Sequence, residues 1–117
     1  MLPKKNRISR ALFDTLLKKG IFFHSQNLSF RVVKTLTGKK ELSKFSFVAS
    51  KKVSKSAVKR NLLRRRGYSA LKDALGNEKI RTGGVLGAFF FKKGAEKIGF
   101  SELHSEISLL LKKSGIV

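Results

Sequence analysis

The densest chemistry in this sequence is a run of cations. Lys51, Lys52, Lys55, Lys59, Arg60, Arg64, Arg65 and Arg66 lie between positions 51 and 66 with no acid among them. A solvated helix face ordinarily intersperses Glu at i±4 to relieve such crowding. Unrelieved like charge instead presents ammonium and guanidinium donors to a polyanion. Groups that could break bonds are not assembled in the same way. His24 and His104 are the only histidines, and neither shares a motif with an acid or a nucleophile. A two-metal nuclease needs several clustered carboxylates, whereas the 7 acids here are scattered singly. Glu102 and Glu106 stand one helical turn apart and read as a solvated face. Cysteine is absent, which removes thiol nucleophiles, disulfides and Cys-based zinc sites. The residues predict a binding protein that neither catalyses alone nor holds a metal tightly.

The whole chain carries the same signature. It has 117 residues, 27 Lys and Arg against 7 Asp and Glu, and a net charge of +20. Self-repulsion at that charge opposes compaction, so a polyanionic partner is expected. The charge is uneven: residues 1–72 hold 20 basic side chains and two acids, Asp14 and Glu41, and residues 73–117 hold 7 and 5. The length suits one domain, 1–117, and 41% hydrophobic residues are too many for a disordered basic tail. The start, MLPKKNRISRALFD, lacks the apolar run of a signal peptide. The longest strongly apolar stretch, Val85–Phe91, is too short to cross a bilayer as a helix. A membrane-surface binder would need a broad apolar helix face beside the charge, and the basic segment has little of one. A soluble chain with a nucleic-acid surface is expected, and the lack of cysteine fits the cytoplasm.

The elements that must position these cations follow from periodicity. Ser9 is placed to cap a helix over 10–19, with Leu12, Phe13, Leu16 and Leu17 on one stripe and Gly20 as the stop. Ile21–His24 is a short extended piece. Leu28–Thr35 alternates, with Leu28, Phe30 and Val32 on one face and Ser29, Arg31 and Val33 on the other. A turn over 37–40 precedes a second alternating strand, Lys44–Ser50, with Phe45, Phe47 and Ala49 inward, and the two strands are expected to pair as a hairpin. Ser54 or Ser56 starts a long helix reaching about Leu75. Val85–Phe91 reads as a strand buried on both faces, and a last amphipathic helix spans 101–113 with Leu103, Ile107, Leu110 and Leu111 as its stripe. The order αβββαβα describes one α/β sandwich of the α+β class.

On the long helix, Arg60, Asn61, Arg64, Arg65, Tyr68 and Lys72 spread over an arc of about 140°. Val58, Leu62, Leu63, Ala70 and Ala74 lie largely opposite. Lys59 and Arg66 fall inside the apolar arc and are expected to reach out along its margin. Gly84-Val85-Leu86-Gly87 has the spacing of a KH-domain clamp but leads into an apolar strand, so its glycines serve turning and close packing.

Ser50-Lys51-Lys52-Val53 followed by Ala57-Val58-Lys59-Arg60-Asn61-Leu62-Leu63-Arg64-Arg65-Arg66 closely resembles the signature of the bacterial ribonuclease P protein subunit. That signature is a Ser-Lys-Lys strand end and a helix bearing Arg-Asn-Arg. Lys4-Lys5-Asn6-Arg7, Phe13 and Lys18-Lys19-Gly20 extend the resemblance over essentially the whole chain. Leu62 departs from it, standing where the second arginine is usual, and Gly67 sits mid-helix, at a cost of about 1 kcal/mol relative to Ala. The resemblance implies a two-layer sandwich with a mixed sheet of about four strands and a left-handed βαβ crossover, against the general rule. It implies an accessory subunit of the bacterial cytoplasm: the RNA subunit removes the 5′ leader of precursor tRNA with Mg²⁺, and the protein binds both RNAs, with no membrane and no DNA partner expected. It implies that Lys51, Lys52, Lys55, Arg60, Asn61, Arg64 and Arg65 contact the RNA subunit, with Lys4, Lys5 and Arg7 adding N-terminal contacts. It also implies a leader cleft between the first helix and the sheet, formed by Phe13, Leu17, Ser29, Arg31, Val33, Ser46 and Val48. Phe13 suits base stacking there and equally suits the core. A structural RNA binder such as a small ribosomal protein is the alternative that shares this charge and size.

Overall fold

A computed structural model describes residues 10–34, 44–77 and 85–115. The elements are α1 (Arg10–Lys19), β1 (Ile21–His24), β2 (Leu28–Lys34), β3 (Lys44–Val48), α2 (Ala57–Asn77), β4 (Val85–Phe91), a 3₁₀ turn (Ala95–Lys97) and α3 (Phe100–Lys113). Ser9 and the turn expected over 37–40 lie outside the described residues.

The four strands form one sheet in the order β1-β2-β4-β3. β1 and β2 are antiparallel, β2 and β4 are antiparallel, and β3 and β4 are parallel. The expected hairpin between β2 and β3 therefore does not form, because β4 lies between them. The cause is burial. β4 is apolar on both faces and is buried along almost its whole length, which only a central position satisfies. β3 alternates, with Phe45 and Phe47 buried and Lys44, Ser46 and Val48 half-buried, and tolerates the edge. A parallel β3–β4 pair needs a crossover, and α2 supplies it.

One face of the sheet carries most of the core. Leu28, Phe30, Val32, Phe45, Phe47, Val85, Phe89 and Phe91 pack there beneath Leu63, Ala70, Leu71 and Ala74 of α2 and the full predicted stripe of α3. Its centre is a row of rings: Phe30 stacks on Phe89 at 4.2 Å between centroids, and Phe89 on Phe47 at 4.8 Å. Tyr68 meets Phe47 edge-on at 4.9 Å, an arrangement favoured by the ring quadrupoles. α2 runs past Gly67 without interruption. A Cβ on that glycine would come within 2.5–2.9 Å of the Phe47 ring, so its absence lets helix and sheet close together. Gly87 has the same role in β4, where a Cβ would meet Phe30 at 2.7 Å.

The opposite face is covered by α1, whose Leu16 packs on Leu86 and Ala88 with Val33 and Phe90 at the margin. Gly20 ends that helix as expected, its N–H donating to the Leu16 carbonyl at 2.8 Å. The β1–β2 turn is tied to α3 by Glu106. Its Oε1 accepts from Ser25 Oγ (2.6 Å) and the Asn27 N–H (2.7 Å), and its Oε2 from Asn27 Nδ2 (2.8 Å). Glu106 is thus a structural acceptor rather than half of a solvated acidic pair. No helix among the described residues is long and apolar enough to cross a membrane.

Candidate nucleic-acid interface

The basic segment leaves the end of β3 through a tight turn. Val53 is buried and anchors it, with its N–H donating to the Ser50 carbonyl at 3.0 Å. That anchor turns Lys51 and Lys52 outward, both exposed. Ser54 Oγ accepts from the Ser56 N–H at 3.3 Å, and Ser56 Oγ accepts from the Lys59 N–H at 3.3 Å. Ser56 is therefore the N-cap of α2, with exposed Lys55 just before it.

The cations of α2 divide by what they touch. Arg60 folds back, and its Nη1 donates to the Ser54 carbonyl (2.8 Å) and the Lys55 carbonyl (3.0 Å). It braces the turn that presents Lys51, Lys52 and Lys55. Asn61 accepts from Arg64 Nη1 at 2.5 Å, which orients that guanidinium along the helix. Arg65 and Lys72 are exposed, whereas Arg60 and Arg64 are half-buried. Tyr68 does not belong to this arc. It is buried, and its hydroxyl faces the Phe47 N–H at 3.4 Å. Val58 and Leu62, assigned to the covered side by the helical wheel, are 78% and 44% exposed. The first turns of α2 project beyond the sheet, and burial begins at Leu63.

The second predicted surface lies on the sheet face that carries α1. Ser29, Arg31, Val33, Ser46 and Val48 are half-buried there, and Leu17 at the end of α1 is 41% exposed. Register sets two rows across the strands: Phe22–Arg31–Ala88–Ser46 and His24–Ser29–Phe90–Val48. Arg31 Nη1 donates to the Leu17 carbonyl at 2.7 Å, and its guanidinium carbon sits 3.7 Å from the Phe22 ring centroid. Phe22 and His24 stack at 5.5 Å, and His24 Nδ1 lies 3.0 Å from Ser29 Oγ. Phe22, His24 and Phe90 thus join a face the sequence reading gave only to β2, β3 and the first helix; the alternation within Ile21–His24 was the available signal. The side chain of Phe13, and Lys4, Lys5 and Arg7 altogether, lie outside the described residues.

No group of three metal-ligating side chains occurs among the described residues. Glu106 is fully engaged by the β1–β2 turn, and Asp73 Oδ2 lies 2.9 Å from His104 Nε2. That last contact is out of line for a hydrogen bond. The described residues offer no clustered ligand set that fits a divalent ion.

A family model described as Ribonuclease P matches residues 2–115. The ribonuclease P protein component of Synechococcus sp. (strain RCC307) is 33% identical, over 99% of this chain and 97% of that relative. Two solved structures share the fold. The Staphylococcus aureus RNase P protein superposes with a TM-score of 0.75 at 17% identity, covering 95% of this chain and 96% of that one. The Thermotoga maritima RNase P protein gives 0.76 at 20% identity, covering 92% and 96%. The ribosomal alternative has no support from these matches. With an acid-free cationic helix start, a four-stranded mixed sheet and a family match over nearly every residue, the chain belongs to the ribonuclease P protein family, the protein subunits of the ribonucleoprotein endoribonuclease that processes tRNA 5′ ends.

Proposed function

We propose that this subunit grips its catalytic RNA with the turn after β3 and the start of α2, and holds the 5′ leader of precursor tRNA on the sheet face beside α1. The observation that carries the reading is the division of labour on α2. Arg60 and Asn61 organise the turn and the neighbouring guanidinium, while Lys51, Lys52, Lys55, Arg64 and Arg65 remain available as phosphate donors. Displacing counterions from two RNAs at once is the contribution a chain of net charge +20 is suited to make. The bond-breaking Mg²⁺ belongs to the RNA, in keeping with the scattered carboxylates of the protein. The leader, being single-stranded, meets half-buried apolar side chains and a fixed cationic rim at Arg31, a combination that tolerates any base. The site of action is the cytoplasm, where precursor tRNAs of bacteria are made.

Reconstitution tests this directly. A bacterial catalytic RNA is assayed on precursor tRNA across a Mg²⁺ titration, with and without the protein. The expected result is cleavage at the mature 5′ end at lower Mg²⁺ when the protein is present, and intact precursor when the protein is alone. An unchanged Mg²⁺ requirement overturns the reading.

A further inference from the structure

β1 brings two rings onto the sheet face beside α1 that the family resemblance does not assign to the leader. Register sets Phe22 opposite Arg31 and His24 opposite Ser29, and side chains two apart on one strand share a face. The rings are held in series. Arg31 Nη1 donates to the Leu17 carbonyl at 2.7 Å, and its guanidinium carbon lies 3.7 Å from the Phe22 ring centroid. Phe22 in turn stacks on His24, with centroids 5.5 Å apart and planes 17° from parallel. The imidazole is tied down through Nδ1, 3.0 Å from Ser29 Oγ. A guanidinium and a hydroxyl thus fix the planes of both rings, and yet Phe22 is 43% exposed and His24 is exposed as well.

A fixed, accessible ring in a cationic setting suits an unstacked base, because every base has a π-face. The setting is cationic on both sides of β1. Exposed Lys18 and Lys19 end α1 just before it, and no Asp or Glu occurs between Ile21 and Lys34, so the local charge favours a phosphate backbone. The two rings already touch as an aromatic pair, so a base adds against exposed His24 rather than between them. We infer that Phe22 and His24 form a stacking platform for one unstacked nucleotide of the 5′ leader, with Lys18 and Lys19 toward its phosphate. The leader then crosses the sheet from β3 to the β1 edge. Three strand-to-strand steps of about 4.8 Å make that path about 14 Å, so the nucleotide on β1 is a different one from that beside Ser46 and Val48. The inference rests on the reading that the leader lies on this face.

His24 and His104 are the only histidines, which gives the test an internal control. The full chain is titrated with a short oligoadenylate and followed by NMR of the imidazole C–H groups. The ring current of a stacked base should move the His24 signals upfield and leave those of His104, between α2 and α3, in place. In the holoenzyme, His24→Ala should weaken precursor tRNA binding about fivefold to tenfold, with no matching loss for mature tRNA. His24→Phe keeps the ring and gives up the Ser29 contact, and it should restore precursor binding. Unmoved His24 signals, equal losses for precursor and mature tRNA, or a His24→Phe variant as weak as His24→Ala each overturn the inference. The broader reading fails separately. A wild-type holoenzyme without preference for precursor over mature tRNA would remove the leader from this face, whereas a preference indifferent to His24→Ala would remove the platform alone.

Discussion

Arg60 directs Nη1 at the carbonyls of Ser54 and Lys55, at 2.8 and 3.0 Å, while Arg65 on the same helix is exposed. Two arginines five residues apart should therefore fail differently when truncated. Arg65→Ala removes a proposed phosphate donor on an exposed side chain. It should lower the slope of log K against log salt for RNA-subunit binding by about 0.7–0.9 and leave thermal stability within about 0.5 kcal/mol of the parent. Arg60→Ala should reduce RNA binding and also destabilise the fold by about 1 kcal/mol, because two bonds bracing the turn are lost. Filter binding over a salt series with parallel urea unfolding distinguishes the two; equal stability for both variants would mean the brace has no weight. Glu106 offers a similar contrast among the acids. With its carboxylate accepting three hydrogen bonds from Ser25 and Asn27, Glu106→Ala should destabilise by about 1–3 kcal/mol. Glu102, exposed on the same helix, should tolerate the same change within about 0.5 kcal/mol.

Gly67 looks like a defect of α2 when only the helix is considered, and replacing it with Ala should gain about 1 kcal/mol of helix propensity. The Phe47 ring reverses that sign. A Cβ 2.5–2.9 Å from three ring atoms forces α2 away from β3, an overpacking cost of about 1–3 kcal/mol. Gly67→Ala is expected to lower the melting temperature, and a rise would show that the helix stands farther from the sheet. The same contrast of local and non-local causes explains what the sequence revealed. Alternation in β2 and β3 and the stripe of α3 are local periods, and their inward faces matched the structure. The place of β4 between β2 and β3 is a pairing of distant segments; its two-faced burial was visible, but not that it would separate two neighbours in the chain. The helical wheel assumed α2 to be covered along its whole length, which misplaced Val58 and Leu62; Tyr68, put on the cationic arc, is instead buried against Phe47. Arg31 on the Leu17 carbonyl and Glu106 on the β1–β2 turn join distant residues through side chains, and no spacing announces them.

At the scale of the molecule, the sheet separates the two proposed RNA surfaces. α2 packs on the face of Phe47 and Phe89, whereas the proposed leader surface lies on the other face, along the rows ending at Ser46 and Val48. Sites on opposite faces with no shared side chain should behave additively. Ser46→Asp places a carboxylate among the proposed leader contacts without removing an apolar group. It should lower the preference of the holoenzyme for precursor over mature tRNA and leave the salt slope of RNA-subunit assembly unchanged. Arg65→Ala should lower that slope and leave the preference unchanged. The double variant should combine the two losses to within about 0.5 kcal/mol, read as tRNA dissociation constants for the holoenzyme and assembly constants over a salt series. A preference that falls with Arg65→Ala, or a coupling above that margin, would mean that the two RNAs meet on one continuous surface, with the charge of residues 51–66 reaching the leader around the open end of the sheet.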